Sequence, residues 1–315
     1  MPAVEEIDWA AALMSRVVAN VSRVVFGKQE VIQSVLVALC ARGHVLLEDQ
    51  PGVGKTLMAK AFAKSLGVDT GRIQYTPDVV PSDVTGTVVF SRREETFTFR
   101  KGPVFTNILL ADEVNRGTPR TQSSLLQAME EGVVSVEGET YELPSPFFVV
   151  ATQNPMEVHG TFPLPESQLD RFMFKITMGF PGEEHEDRML QVYCSGNPFA
   201  DIAPVATRED LEKLMSLVER VYIGKDVRSY VVSLARELRT DPRVRMGISP
   251  RGSLTLARAA QAAALLDGRD SVLPDDIKTL ALPALVHRLV PHSYSDEPEL
   301  LVREALDRVP VPVRE

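Results

Sequence analysis

Short apolar runs alternate with amphipathic stretches over the first two thirds of the chain. Val45–Leu47, RIQY at 72–75, ILLAD at 108–112, FFVVA at 147–151 and MFKITM at 173–178 read as five strands. Continuously apolar runs of this length suit parallel strands covered on both faces. Between them, spacing of three and four predicts helices over Val21–Arg42, broken by FGK at Phe26–Lys28, and over Thr56–Leu66, closed by Gly67 as a C-cap. The alternation predicts a parallel sheet with helices on both sides. Two stretches, 85–102 around a charged tip and 133–143 around Glu137-Gly138, read as hairpins set on that core. They are candidates for partner contact or plain surface decorations.

The texture changes near Pro181-Gly182. Beyond it no strand is expected, and amphipathic helices fit 183–194, 207–222, 226–239, 250–266, 274–290 and 298–308. Thr207 with Glu209 and Asp210, and Pro274 with Asp275 and Asp276, are helix-start signals, and Pro283 should kink or split its helix. The expected organisation is an α/β domain over 1–181 and an all-helical domain over 182–315.

Composition narrows the classes. With 315 residues, 44% hydrophobic and 24% charged, the chain has the make-up of a globular protein of one large or two ordinary domains. The net charge of -9 argues against an obligatory nucleic-acid binder. Two distant cysteines and five scattered histidines indicate no structural metal and a reducing compartment. The acidic start MPAVEEIDWAAAL lacks a signal-peptide layout and no apolar run spans a membrane, so the expectation is a soluble, cytoplasmic protein.

Candidate chemistry begins in EDQPGVGKT, which has Asp49 where a phosphate loop usually has its first glycine. The strand ends at Glu48 and the helix begins near Lys55. Backbone N–H groups between them can wrap a phosphate at a helix N-terminus. Gly52 and Gly54 permit close approach, Lys55 can reach the β- and γ-phosphates, and Thr56 can offer its hydroxyl to Mg²⁺. The candidate nucleotide-binding run is Asp49, Gln50, Pro51, Gly52, Val53, Gly54, Lys55, Thr56 and Leu57. One strand later, ILLAD-E ends in Asp112, a metal-side carboxylate, and Glu113, a base for the attacking water. VVATQNP places Asn154 at another strand tip, where it could touch the γ-phosphate or the water, although an Asn-Pro turn alone would explain it. Arg171 in LPESQLDRF suits charge on a transferring phosphoryl group. Arg251, in the first turn of a helix capped by Ser249, is badly placed for helix stability unless it meets an anion. Taken singly, each arginine reads more readily as a surface residue.

In this order and spacing the five elements resemble an AAA+ ATPase, with Walker A, Walker B, sensor 1, arginine finger and sensor 2. The stretches RIQYTPDVVPSDVTG, TQSSLLQAMEEG and ATQNPMEVHGTFPLPESQLDRFMFK narrow the resemblance to the MoxR family, over roughly 44–252. One departure is Arg116-Gly117-Thr118-Pro119, where family members tend to carry Arg-Ala-Pro-Pro; it should alter a turn and not the chemistry. The resemblance implies a P-loop core with a five-stranded parallel sheet, two hairpin insertions and a helical lid. It implies ATP and Mg²⁺ as cofactors, Thr56 and Asp112 at the metal, and Glu113, Asn154, Arg171 and Arg251 in catalysis. Val24, Phe26 and Gly27 fall in the segment that resembles the one packing on adenine. Arg171 would act on the next subunit's nucleotide, so a ring of copies, a hexamer, follows as a hypothesis. The family also implies a von Willebrand factor A-domain partner and an unnamed client that the ring matures or activates.

The competing reading is a nucleic-acid-dependent motor of the helicase branch, with Arg92, Arg93, Arg100 and Lys101 on the first hairpin as its foothold. An enhancer-type transcription activator lacks its Gly-Ala-Phe-Thr-Gly-Ala loop here, and a scaffold without turnover would not need the full catalytic set.

Overall fold

The computed structural model describes residues 1–50, 52–92, 95–155, 160–293 and 295–312. In chain order the first half comprises α1 (Val4–Ser22), α2 (Gln29–Cys40), β1 (Val45–Glu48), α3 (Lys55–Leu66), β2 (Thr70–Gln74), α4 (Pro81–Thr85), β3 (Gly86–Ser91), β4 (Thr96–Lys101), β5 (Ile108–Asp112) and α5 (Pro119–Glu131). There follow β6 (Val133–Val136), β7 (Glu139–Glu142), β8 (Phe148–Gln153), α6 (Glu166–Leu169), β9 (Phe174–Ile176), α7 (Glu183–Ser195), α8 (Arg208–Arg220), α9 (Lys225–Thr240) and β10 (Val244–Met246). The chain closes with α10 (Pro250–Leu266), α11 (Pro274–Leu285), β11 (Val290–Pro291) and α12 (Pro298–Arg308).

Five parallel strands form one sheet in the order β2-β5-β8-β1-β9. Alternate side chains serve two cores. Val45, Leu47, Ile108, Leu110, Phe148 and Val150 face the helices α1–α3, whereas Leu46, Leu109, Ala111, Val149 and Ala151 face α5. All five expected strands are present. The two hairpins are β3–β4 and β6–β7, both antiparallel. They are joined to each other by Phe99 stacked on Tyr141, with ring centroids 4.1 Å apart. Arg93 lies outside the described residues; Arg100 and Lys101 stand at the base of β4.

Several expectations need correction. The helical stretch expected over Val21–Arg42 is broken around Phe26–Lys28 as expected, but its first part belongs to a longer helix, α1, which starts at Val4. Its buried stripe Ile7, Ala10, Leu13, Met14, Val17, Val18 and Val21 has plain helical spacing. The second half contains a short antiparallel pair, β10 with β11, where no strand was expected. The helix over 274–290 ends at Leu285, two residues after Pro283, and passes into a 3₁₀ turn over Val286–Arg288. Proline lacks the N–H that would bond back one turn. The hydrophobic core does not divide at 181: α1 and α2 pack on α8 and α10 within one buried cluster that continues to Val309.

Gly117 accounts for the departure in the turn after Glu113. A Cβ there would lie 2.4 Å from Cδ1 of the fully buried Tyr75. Thr118 caps α5, accepting from the Thr121 N–H at 3.3 Å, and Pro119 takes the first helical position.

His44 ties the foot of the sheet together. Its Nδ1 accepts from the Val149 N–H at 3.0 Å, and its Nε2 faces the Met129 carbonyl at 3.0 Å. Burial, aided by the charge of Arg251, pushes its pKa down to about 4 from the ordinary 6.5. A depressed folded value means this contribution to stability is complete above pH 6.5 and is lost as pH falls toward 4. The slope should reach about 1.4 kcal/mol per pH unit. Urea unfolding at stepped pH should therefore show a shallower decline for His44→Gln than for the native chain. Equal slopes would exclude the imidazole.

Candidate active site

Because every strand of the sheet points the same way, the loops after β1, β2, β5 and β8 share one edge. The loop after β1 is pinned at its start by the Asp49 N–H, which donates to the Gln153 carbonyl at 3.1 Å. Gly52 (φ +88°) and Gly54 (φ +95°) are both left-handed, and a Cβ on either would meet nothing within 4 Å. Glycine is required there for conformation, and the space in front of the loop stays open. Among the described residues no side chain caps α3, so its N-terminus opens on that space. Lys55 Nζ donates to the loop's own carbonyls, Asp49 at 2.6 Å and Gln50 at 3.2 Å. Burial lowers the Lys55 pKa, and Asp49, Asp112 and Glu113 oppose that shift. Pro51 lies outside the described residues.

Asp112 and Glu113 are adjacent in sequence but differently held. Asp112 is buried; its Oδ2 accepts from Arg72 at 2.8 and 3.0 Å and lies 3.4 Å from the Thr56 hydroxyl, while Oδ1 accepts from Thr152 at 2.8 Å. Glu113 has φ +55°, a left-handed value that is costly for a side-chain-bearing residue and common at functional turns. Its N–H donates to the Thr152 hydroxyl at 2.9 Å. Its Oε2 accepts from Gln74 at 2.9 Å and pairs with Arg116 at 3.2 Å. The Asn154 carbonyl, just past β8, accepts from Asn115 at 3.4 Å, which sets this residue beside the Asp112–Arg116 turn.

Thr56 and Asp112 are hard oxygen donors in contact range, a set that suits Mg²⁺ supplemented by waters and phosphate oxygens. Among the described residues no group of three or more His, Cys, Asp or Glu could hold a metal ion by itself. The site therefore fits a metal that arrives with an anionic ligand.

A cavity of about 600 Å³ opens between the α1–α2 turn and the start of α7, lined by Phe26, Gly27, Thr177, Met178, His185 and Arg188 among others. It has the size and the ring-lined wall of a small-molecule pocket. Gly27 (φ +67°) lies against His185, and the Arg188 guanidinium stands 6.0 Å from the Phe26 ring centre. Val24 is not part of this wall. Its side chain is in the core, and its carbonyl accepts from Tyr193 at 3.3 Å. A wider cleft of about 720 Å³ adjoins it past Thr177, but Glu30, Glu48, Asp276 and Glu299 give it the wrong charge for a phosphate.

Arg171 and Arg251 are elsewhere, and together. Arg171 Nη2 lies 3.2 Å from Glu130 Oε2, and Arg251 Nη1 lies 3.1 Å from Glu130 Oε1. Glu130 is at the far end of α5, whose 13 residues run about 20 Å back from the Glu113 edge. The neighbouring Met129 carbonyl meets His44, which precedes β1. The arginine pair thus sits at the opposite edge of the sheet from Lys55 and Glu113.

Sequence reasoning missed Arg72, Gln74, Thr152, Glu130, His185 and Arg188. Three of these left a trace: Arg72 and Gln74 alternate with buried Ile73 on one face of β2, and Thr152 is a polar residue in an apolar strand. His185 meets Gly27 and Arg188 meets Phe26 from about half a chain away, which no local pattern reports.

Comparison with known proteins follows the same outline. Residues 44–174 match the model of the ATPase family associated with various cellular activities (AAA), and residues 236–307 match an AAA lid domain. The chain is 48% identical to the uncharacterized protein YeaC of Bacillus subtilis, covering 96% of each. It is 39% identical to Chaperone MoxR1 of Mycobacterium tuberculosis over 95% of this chain and 82% of that one. It is 30% identical to Protein MoxR of Paracoccus denitrificans over 97% and 98%. A crystal structure of a Cytophaga hutchinsonii protein superimposes with TM-score 0.91 at 34% identity, covering 98% of both chains.

Replacing Lys55 by Ala removes the one ammonium that the loop carries toward its own hollow. ATP affinity measured by calorimetry should fall by at least about a hundredfold, the scale of a lost set of charge-assisted hydrogen bonds. Undiminished binding would sink the assignment of the loop.

Proposed function

The chain belongs to the MoxR family of AAA ATPases, and from that premise we propose that it hydrolyses ATP with Mg²⁺ in a closed ring of identical subunits, a hexamer, that remodels client proteins. The observation that carries this reading is the split of the charged residues. Lys55, Thr56, Asp112 and Glu113 share one edge of the sheet, and Arg171 and Arg251 share the other, both on Glu130. A triphosphate held by one subunit's loop lacks these arginines until a second copy presents its opposite edge.

In this mechanism the loop from Asp49 to Leu57 receives the phosphates through backbone N–H groups, and Lys55 exchanges its carbonyl partners for phosphate oxygens. The Phe26–His185 cavity takes the base. Thr56 and Asp112 would hold Mg²⁺, whose charge would offset that of the phosphates. Glu113 turns from Gln74 and Arg116 to orient the attacking water and take its proton, and Asn154 helps to place that water. Arg171 and Arg251 of the adjoining copy leave Glu130 and stabilise the charge on the phosphoryl group as it passes to water. The products are ADP and phosphate.

The remodelling role rests on likeness: one relative is named a chaperone. A von Willebrand factor A-domain protein as working partner, and residence in the cytoplasm, complete the proposal. Among the described residues no helix is long and apolar enough to cross a membrane.

Glu113→Gln should keep ATP binding and lose turnover by about 10²–10⁴-fold, the usual worth of a general base. Normal phosphate release from this variant would mean another base. Separately, Arg171→Ala and Lys55→Ala chains should each be inactive alone, and mixing them should restore part of the turnover. In assemblies shown by mass to contain both chains, absence of any recovery would overturn action between subunits.

A further inference from the structure

Asp49 does more than stand in for a glycine. The residue is 8% exposed, and both carboxylate oxygens are used. Oδ1 accepts from the Gln50 N–H at 2.8 Å, within the phosphate loop. Oδ2 accepts from the Gly179 N–H at 2.5 Å, across to the segment that joins β9 to α7. That segment is Thr177–Gly182. Thr177 and Met178 form one wall of the 600 Å³ cavity, and α7, which starts at Glu183, supplies His185 and Arg188 to another. Gly179 is left-handed (φ +64°), and the next carbonyl, that of Phe180, accepts from Lys28 Nζ at 2.8 Å. The joining segment is thus anchored at two successive residues, once to the phosphate loop and once to the turn beside Gly27.

We propose that Asp49 is a positioning residue that couples the state of the phosphate loop to the segment leading into the lid. The coupling rests on the reading of that loop as the nucleotide site. It runs through bonds already named. Lys55 Nζ holds the Asp49 carbonyl at 2.6 Å, the Asp49 carboxylate holds the Gly179 N–H, and Gly179 leads into α7. When Lys55 turns to a phosphate, Asp49 loses the cation on its carbonyl. The latch on Gly179 then reports whether a phosphate is bound. A glycine at position 49 would leave the loop and the joining segment free to move independently.

Amide hydrogen exchange over 177–182 tests this in the full-length chain, without nucleotide and with saturating ADP or a non-hydrolysable ATP analogue. In the native chain, exchange of the Gly179 amide should differ between the three states. In Asp49→Gly it should be at least about tenfold faster without nucleotide, the scale of one lost charge-assisted hydrogen bond. The difference between nucleotide states should also vanish. Asp49→Asn keeps the size of the side chain but turns an NH₂ toward one of the two N–H groups, so it should fall between the two chains. Fluorescent-nucleotide binding, run alongside, separates the two failures. A native chain that binds no nucleotide overturns the reading of the loop. A native chain that binds, with both variants exchanging at the native rate over 177–182, overturns the coupling.

Discussion

Arg288 is the charge that sets the two halves of the molecule against each other. Its side chain is buried, yet every direction it points is answered. Nε donates to Asp170 at 2.7 Å, Nη2 to the Phe172 carbonyl at 2.6 Å, and Nη1 to the Met173 carbonyl at 3.2 Å. Burial lowers its pKa, and the nearby Asp170 opposes that shift. A buried guanidinium is tolerable only when its donors are all engaged. Meeting that condition locks the turn over 286–288 onto the stretch just before β9. The neighbouring His287, also buried and held well below its ordinary pKa, meets the same Phe172 carbonyl at 3.1 Å. A Cβ on Gly252 would come within 2.9 Å of Arg288 Cδ, so the first turn of α10 lies directly on this clamp. Arg251 is next to Gly252 and Arg171 is next to Asp170. Their meeting on Glu130 follows from the clamp.

The paired carboxylates show how neighbours in sequence acquire separate duties. Asp112 ends a strand and is walled in by Arg72, Thr152 and Thr56, which suits a group that must be held still beside a cation. Glu113 has left the strand through a left-handed residue, and its partners Gln74 and Arg116 come from exposed or half-buried positions that can let go. Thr152 braces both, through the side chain of one and the backbone of the other.

What could be read from the chain depended on how local the cause was. ILLAD was placed to the residue because a continuously apolar run has one stable home, a strand covered on both faces. Helix α10 was placed as well, since Ser249 and Pro250 mark its start and a turn with Asp267 ends it. That Lys55, Thr56, Asp112 and Glu113 come together was legible because one loop and one strand tip carry them. The cavity was not, because Gly27 and His185 meet only after the chain has crossed the sheet and returned. Asp49 was seen but undervalued: its partner, Gly179, is 130 positions away. The pair β10 and β11 escaped because three- and two-residue strands leave no periodicity to detect.

In the proposed ring, an edge of the sheet that receives arginines and an opposite edge that presents them would give each subunit a polarity. A contact between unlike faces does not exhaust itself in a pair. In a dimer so joined, one nucleotide is fully surrounded, one lacks its arginines, and one Glu130 still holds its pair. Lengthening the row adds finished sites one at a time but always leaves an unfinished one at the end. Only closure removes both loose ends at once. On the proposed mechanism the quantity that would change on closure is the fraction of sites able to turn over, so bound nucleotide and hydrolysed nucleotide would become separate measures of how far assembly has gone.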